Sequence, residues 1–175
     1  MRERTDPTTM GSAEAYAFED FYRKEYRAVV GLAYALSGSR WAAEDLAQEA
    51  FLAAHNEWGR ISRFDQPGAW VRRVVANRSV SVLRRRAVEA KALARLALGQ
   101  PPIVPPIPEE SAEFWDAVRS LPRRQAQVVA LHYLEDLPVA DVARILGVAQ
   151  GTVKKHLFDG RAALGQRLRL EGETP

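Results

Sequence analysis

The stretch VARILGVAQGTVKKHLFDGRAAL, Val142–Leu164, predicts two short helices joined at Gly147. Glycine tolerates the left-handed backbone that a tight turn between helices requires. Pro138 suits the first turn of the leading helix, and Ala143 is small where two helices cross closely. Five apolar residues are spaced to face a common core: Val142, Leu146, Val148, Val153 and Leu157. This pattern predicts a helix-turn-helix, a motif that places its second helix in the major groove of DNA.

The second helix is predicted to carry a basic outer face. That face comprises Gln150, Thr152, Lys154, Lys155, His156 and Arg161. Thr and Gln can bond base edges or phosphates, Lys and Arg attract phosphate, and Arg can pair with guanine through two bonds. The motif and the charge together favour duplex DNA binding over an ordinary helical hairpin with a basic exterior.

Charge is segregated in the N-terminal part of the chain. The segment from Trp41 to Gly59 has four acidic residues and no Lys or Arg, whereas Arg60 to Arg95 has ten basic residues against two acidic ones. Such segregation indicates two different partner surfaces side by side, with solvated helix faces as the alternative.

The acidic segment has the period of an amphipathic helix. One stripe is apolar: Ala43, Leu46, Ala47, Ala50, Phe51, Ala54 and Trp58. A preceding apolar helix is expected to end at Gly38, and a following one to begin after Pro67. No segment shows sustained β alternation, so the fold class is predicted to be all-α.

The basic segment interleaves arginines with aromatic residues. Trp70 and Asn77 lie among arginines, and Trp58, Arg63 and Phe64 come just before them. An aromatic face can stack an unpaired base while arginines hold its backbone, so this combination indicates single-stranded nucleic acid. For each tryptophan taken alone, a place in the core is favoured, so the indication rests on the combination.

A proline-rich stretch divides the chain. Gly99–Glu110 holds five of the ten prolines, which neither a helix nor a central strand can accommodate. We therefore predict two small helical domains, 14–95 and 111–170, joined by a linker at 96–110, with the helix-turn-helix in the second. In that second domain, Ser111 is the expected N-cap of a helix that breaks at Leu121-Pro122.

Several classes of protein are disfavoured. The chain has no cysteine, which excludes disulfides and thiolate metal sites and suits a reducing cytoplasm. No apolar run is long enough to cross a membrane, so no membrane association is expected. Its three histidines are scattered, and no nucleophile elbow or phosphate loop occurs, so we expect no enzyme activity, no cofactor and no metal site.

Three quoted segments, in this order, resemble a bacterial RNA polymerase sigma factor of the small extracytoplasmic-function branch. AEDLAQEAFLAAHNEW is similar to the family's core-polymerase-binding helix, FDQPGAWVRRVVANRSVSVLRRR to the segment that melts and reads the minus-ten element, and LPRRQAQVVALHYLEDLPVADVARILGVAQGTVKKHLFDGRAAL to the domain that reads the minus-thirty-five element. The resemblance covers about Phe18 to Leu168.

The resemblance implies partners and roles. Core RNA polymerase would be bound through the coiled coil of its largest subunit and the flap of the second-largest, and the coiled coil would contact Asp45, Gln48, Glu49 and Leu52. The minus-ten strand would be opened and held by Arg63, Phe64, Trp70, Arg73 and Asn77, with nearby phosphates on Arg84, Arg85 and Arg86. The upstream duplex would be read by Gln150, Thr152, Lys154, Lys155, His156 and Arg161. An anti-sigma factor is a further partner that the family implies.

Two other classes remain open from the sequence. A regulator of the LuxR type would explain GTVKKHL, but it needs a sheet or a ligand pocket in its N-terminal half. A pure protein-interaction adaptor would explain the acidic helix, but it leaves both basic elements without a role.

Overall fold

The computed structural model describes residues 12–79 and 111–172, and every regular element in these two ranges is helical. The N-terminal half, residues 12–79, contains four helices: α1 (Ser12–Ser37), α2 (Arg40–Asn56), α3 (Trp58–Ile61) and α4 (67–79). The C-terminal half, residues 111–172, contains four more: α5 (Ala112–Ser120), α6 (Arg123–Val129), α7 (Val139–Leu146) and α8 (Gln150–Gly172). The predicted all-α class is confirmed. The predicted linker at 96–110 and Arg84, Arg85 and Arg86 lie outside the described residues.

The N-terminal half is built around the predicted apolar stripe, of which six residues lie in α2 and the seventh, Trp58, begins α3, because α2 ends at Asn56. All seven residues of the predicted stripe are buried: Ala43, Leu46, Ala47, Ala50, Phe51, Ala54 and Trp58. Phe18 and Phe21 of α1 pack on Trp58, with ring centroids 5.2 and 4.9 Å away. Trp58 is therefore a core residue, as its place on the apolar stripe predicts, and it takes no part in a nucleic-acid surface beside the arginines, because this aromatic cluster buries its ring.

Two glycines end helices in the left-handed conformation. Gly38 has φ +67° between α1 and α2, and Gly147 has φ +66° between α7 and α8, as the sequence predicts. The Val148 amide donates to the Ala143 carbonyl at 3.0 Å, which satisfies a carbonyl left free at the end of α7.

The C-terminal half packs α8 against α6 and α7. Val142, Leu146, Val153 and Leu157 are buried together, as expected of a helix-turn-helix. α5 and α6 are separate helices on either side of Leu121-Pro122, and a π-helical turn (Ala130–Leu134) continues α6. Ser111 occupies the N-cap position of α5, although its side chain makes no capping hydrogen bond there.

Candidate polymerase and nucleic-acid interfaces

The face of α2 opposite the core presents the predicted polymerase-binding residues. Asp45, Gln48, Glu49 and Leu52 are all exposed, and Leu52 keeps 62% of its surface accessible. A leucine that exposed within a helix is a potential contact for another protein. Glu49 is also engaged within the chain, since it accepts a bond from Arg78 of α4 at 2.6 Å. Among the described residues Asp45 forms no ion pair, so it is the simpler probe of this face.

A tryptophan that sequence reasoning did not select extends the same face. Trp41 is 57% exposed and lies four residues before Asp45, one helical turn away. Trp41, Asp45, Gln48 and Leu52 are spaced by four, three and four residues, which places them in one row along the helix. This helical spacing is the feature of the sequence from which Trp41 could have been predicted. We call these residues with Glu49 the α2 face.

The predicted minus-ten residues of the loop and of α4 line one cleft. Arg63 and Phe64 come from the loop before α4, and Trp70 and Arg73 come from α4 itself. The cleft has a volume of about 470 Å³, and Arg144 and Ile145 of α7 also line it. We call it the α4 cleft. Asn77 is exposed one turn further along α4 but is absent from the lining.

The α4 cleft combines the two chemistries that an unpaired nucleotide requires. Phe64 is 39% exposed, and the Arg60 guanidinium lies 5.3 Å from its ring centroid. Trp70 is half-buried and packs against the core, and it contributes to the lining of the cleft. Stacking on such rings tolerates any base, and arginines beside them attract the phosphates.

The outer face of α8 presents a cationic surface to solvent. Gln150, Thr152, Lys154, Lys155 and Arg161 are exposed as predicted. Arg161 donates from Nε to the Tyr133 hydroxyl at 2.5 Å, and its guanidinium lies 5.7 Å from the Tyr133 ring centroid. Tyr133 thus holds Arg161 in a defined orientation.

Two other residues of α8 differ from the sequence expectation. His156 is only half-exposed, and its buried Nδ1 has no hydrogen-bond partner among the described residues. Its ring therefore lies at the edge of the outer face. Phe158, which sequence reasoning did not select, is 74% exposed between Lys154 and Arg161. Its position one helical turn after Lys154 is the feature of the sequence from which its exposure could have been predicted.

Other kinds of site were sought within the described ranges. No cluster of three or more His, Cys, Asp or Glu side chains there could hold a metal ion. None of the helices in residues 12–79 and 111–172 is long and apolar enough to span a membrane. These same ranges contain no strand, so the sheet that a LuxR-type sensor half would need is absent from them.

Comparison with known families accounts for both halves. Residues 21–88 match the model of Sigma-70 region 2, and residues 111–164 match that of Sigma-70 region 4. The first match contains the α2 face and the residues that the loop before α4 and α4 itself contribute to the α4 cleft, and the second contains the helix-turn-helix.

Individual relatives extend this likeness over the whole chain. The chain is 32% identical to the ECF RNA polymerase sigma factor SigM of Mycobacterium tuberculosis, with 95% of this chain and 86% of the relative covered. It is 26% identical to SigW of Bacillus subtilis, with 97% of each covered. Among solved structures, the sigma factor RpoE of Bartonella quintana has a similar fold, with a TM-score of 0.65, 24% identity and coverage of 87% of this chain and 97% of that one. This protein therefore belongs to the ECF branch of the sigma-70 family, whose members direct promoter-specific transcription initiation.

Proposed function

We propose that this sigma factor divides promoter-specific initiation among the three surfaces described above. The α2 face binds the coiled coil of the largest subunit of core RNA polymerase, and the α4 cleft opens and holds the minus-ten strand. The outer face of α8 reads the minus-thirty-five duplex. The observation that carries this assignment is that Arg63, Phe64, Trp70 and Arg73, which are scattered over loop and helix in the sequence, line a single cleft.

Phe158 joins the duplex-reading surface in this proposal. An exposed phenylalanine on a recognition helix can make apolar contact with the C5 methyl group of thymine in the major groove. Lys154, Lys155 and Arg161 lie around it and supply attraction for the flanking phosphates. We expect thymine at the base pair that Phe158 touches to be preferred over cytosine.

Further partners are proposed from the family. The RpoE structure from Bartonella quintana contains the anti-sigma factor NepR, and we propose that an anti-sigma protein also binds this chain. We propose that the C-terminal half contacts the flap of the polymerase and that the protein acts in the cytoplasm by binding rather than by catalysis. The domains are proposed to span 14–95 and 111–170.

Reconstituted transcription tests the proposed function directly. The full chain would be mixed with core RNA polymerase and a promoter library, and runoff products would be sequenced. Permanganate footprinting of the selected promoters should show unpaired thymines in the minus-ten element. Runoff without promoter selectivity, or footprints in which every thymine remains paired, would refute the proposal.

Charge reversal on the α2 face is expected to weaken core binding. Asp45→Arg places a cation where, in this proposal, the coiled coil contacts an acidic side chain. Core affinity should therefore fall roughly 3- to 10-fold, mainly through the association rate. Fluorescence anisotropy of labelled sigma factor, titrated with core polymerase, measures this affinity. Asp20→Arg, an exposed acidic position on α1, is the matched control and should bind core as wild type does. Wild-type affinity for Asp45→Arg would show that another face docks.

Removal of one lysine from α8 is expected to alter the salt dependence of duplex binding. Lys154→Ala should reduce the slope of log affinity against log salt by about 0.9, the value for one lost phosphate contact. Titrations of minus-thirty-five duplex at several salt concentrations measure this slope. Lys24→Ala on α1 removes the same charge from the other half and should leave it unchanged. An unaltered slope for Lys154→Ala would mean that this lysine points away from the DNA.

A further inference from the structure

An exposed tyrosine from another element of the C-terminal half is bonded to the outer face of α8. Arg161 donates from Nε to the Tyr133 hydroxyl at 2.5 Å, across 28 positions of sequence. Tyr133 lies in the π-helical turn that continues α6, and it keeps 48% of its surface accessible. Tyr133 therefore belongs in space to the surface proposed to read the minus-thirty-five duplex, although it is not part of α8.

A buried glycine allows the two elements to approach each other. Gly160 directly precedes Arg161, and a Cβ atom placed on it would lie 3.2 Å from Val129 Cγ2 of α6. Because glycine has no side chain, α8 can pack this closely on α6 without displacing it. The π-helical turn begins directly after Val129 and brings Tyr133 to Arg161. Single π-helical turns within helices are frequent at functional sites.

The Tyr133 ring is also held within its own turn. Its centroid lies 4.9 Å from that of the His132 ring, and the two ring planes are inclined at 69°. His132 Nδ1 lies 2.8 Å from the Leu137 carbonyl oxygen, and since a carbonyl oxygen only accepts, Nδ1 carries a proton and donates it to this bond. The segment leading into α7 thus fixes His132, and His132 supports Tyr133. A side chain that is already positioned loses less conformational entropy when it binds a ligand.

The bond leaves donors unused on both residues. Nε is one of the five N–H donors of an arginine, so the four on the two Nη atoms of Arg161 remain. The Tyr133 hydroxyl accepts from Nε and still has its own hydrogen to donate. Asp159, the acidic residue nearest to Arg161 in sequence, pairs with Lys155 at 2.9 Å, and none of the described residues forms an ion pair with Arg161. One positive charge beside several donors is the chemistry that recognises a phosphate group.

The position of this pair along α8 favours a backbone phosphate over a base. Lys154, Phe158 and Arg161 follow one another at spacings of four and three residues, so they form one row along the helix. Arg161 lies about 10 Å beyond Lys154 at a rise of 1.5 Å per residue. The N-terminal residues of a recognition helix contact base edges, and the major groove is about 12 Å wide. Arg161 is therefore placed where α8 leaves the groove and meets the sugar-phosphate backbone.

We propose that Tyr133 and Arg161 together bind one phosphodiester of the minus-thirty-five duplex, with Tyr133 as the positioning residue. Arg161 binds the phosphate oxygens through its Nη donors while its Nε is held by Tyr133, and the Tyr133 hydroxyl donates to the same phosphate. We call this pair the phosphate clamp. A phosphate contact carries no sequence information, but it fixes the register in which α8 faces the bases. The inference rests on the proposed role of the outer face of α8.

Uncharged linkages in the DNA test whether the pair contacts a single phosphate. Core polymerase carrying the full chain would be titrated onto a labelled promoter from the runoff selection. Single phosphates of its minus-thirty-five region would be replaced in turn by methylphosphonates. Replacement of the clamped phosphate should weaken binding by wild type about tenfold, since it removes a charged hydrogen-bond acceptor. The same replacement should weaken binding by Arg161→Ala or Tyr133→Phe less than about threefold, whereas replacements elsewhere should affect these variants as they affect wild type.

Tyr133→Phe isolates the hydroxyl, because it keeps the ring and the charge of Arg161. On the unmodified promoter it should weaken binding roughly 3- to 10-fold. Combined with Arg161→Ala, it should weaken binding by less than the product of the two single effects, because both changes act on one contact. Tyr34→Phe removes a hydroxyl from half-buried Tyr34 of α1 and is the matched control, which should bind as wild type does.

The possible results separate the clamp from the proposed function. Wild-type affinity of Tyr133→Phe overturns the role of Tyr133. A scan in which the two variants become insensitive to different linkages, or to none, overturns the clamp while leaving α8 as the duplex-reading helix. A wild-type complex that binds without regard to the minus-thirty-five sequence refutes the proposed role of α8, and the clamp with it.

Discussion

Trp70→Ala is expected to abolish most promoter opening while leaving polymerase binding intact. The Trp70 side chain is half-buried and lines the α4 cleft, where we propose that a base stacks on it. Base stacking on an aromatic side chain contributes about 1–3 kcal/mol by alanine substitution. Open-complex formation should therefore fall roughly 5- to 150-fold. Permanganate reactivity of minus-ten thymines in the reconstituted complex measures the loss, and core affinity is measured in parallel.

The chain offers a matched control for this experiment. Trp41→Ala deletes the same side chain from an exposed site outside the cleft. With core polymerase at a saturating concentration, so that the variant is fully bound, promoters opened by Trp41→Ala should keep wild-type permanganate reactivity. A template whose minus-ten region is already unpaired separates binding of the single strand from opening of the duplex. Trp70→Ala should still bind this template less tightly than wild type does. Wild-type reactivity for Trp70→Ala would show that the strand takes a path outside the α4 cleft.

Periodicity predicts the secondary structure and core of this protein well. The apolar stripe of α2 repeats with helical spacing, and the structure buries every residue of it. The boundaries at Gly38, Leu121-Pro122 and Gly147 follow from local backbone chemistry, since glycine permits positive φ and proline removes an amide donor. Such features depend on residues close in sequence and can be inferred from it.

The tryptophans show where local reasoning stops. Trp58 of α3 keeps the spacing of the apolar residues in α2, and that spacing correctly predicts that it lies in the core. Its nearness in sequence to arginines suggested a nucleic-acid role for it. That role is wrong because Phe18 and Phe21 of α1, a helix distant in sequence, pack on its ring. Trp41 carried a usable spacing signal, but its exposure depends on how α1 and α2 pack.

Contacts between the halves leave no local signal at all. Arg72 and Glu135 are 63 positions apart, and neither residue type nor spacing marks them as partners. In the sequence, Arg72 is one of the ten basic residues of its segment and is indistinguishable from a residue that binds phosphate. In the structure, its guanidinium instead pairs with two carboxylates. Arg72 is therefore distinguished from Arg73, its neighbour in the α4 cleft, only by three-dimensional placement.

The largest loss of polymerase affinity is expected from Trp41→Ala. Tryptophan is enriched among the few interface residues that dominate binding energy, and truncation of such residues costs about 2 kcal/mol or more. Trp41 lies at one end of the α2 face and Leu52 at the other, with the acidic residues between them. We therefore propose an apolar contact at each end of the docking surface and complementary charge in the middle. Core affinity should fall about 30-fold or more, a larger effect than that of Asp45→Arg, because burial of an indole removes more apolar area than any pair at the rim.

The kinetics of the Trp41→Ala complex distinguish an anchor from a steering charge. Loss of a packed apolar contact acts on the dissociation rate, whereas loss of a rim charge acts on association and varies with salt. Surface plasmon resonance with immobilised core polymerase should therefore show faster dissociation of Trp41→Ala at every salt concentration. Trp41→Phe, which keeps part of the apolar area, should recover part of the affinity. Trp70→Ala is the matched control and should dissociate as wild type does. Equal affinity of Trp41→Ala and wild type would place Trp41 outside the interface and confine docking to the acidic centre of the α2 face.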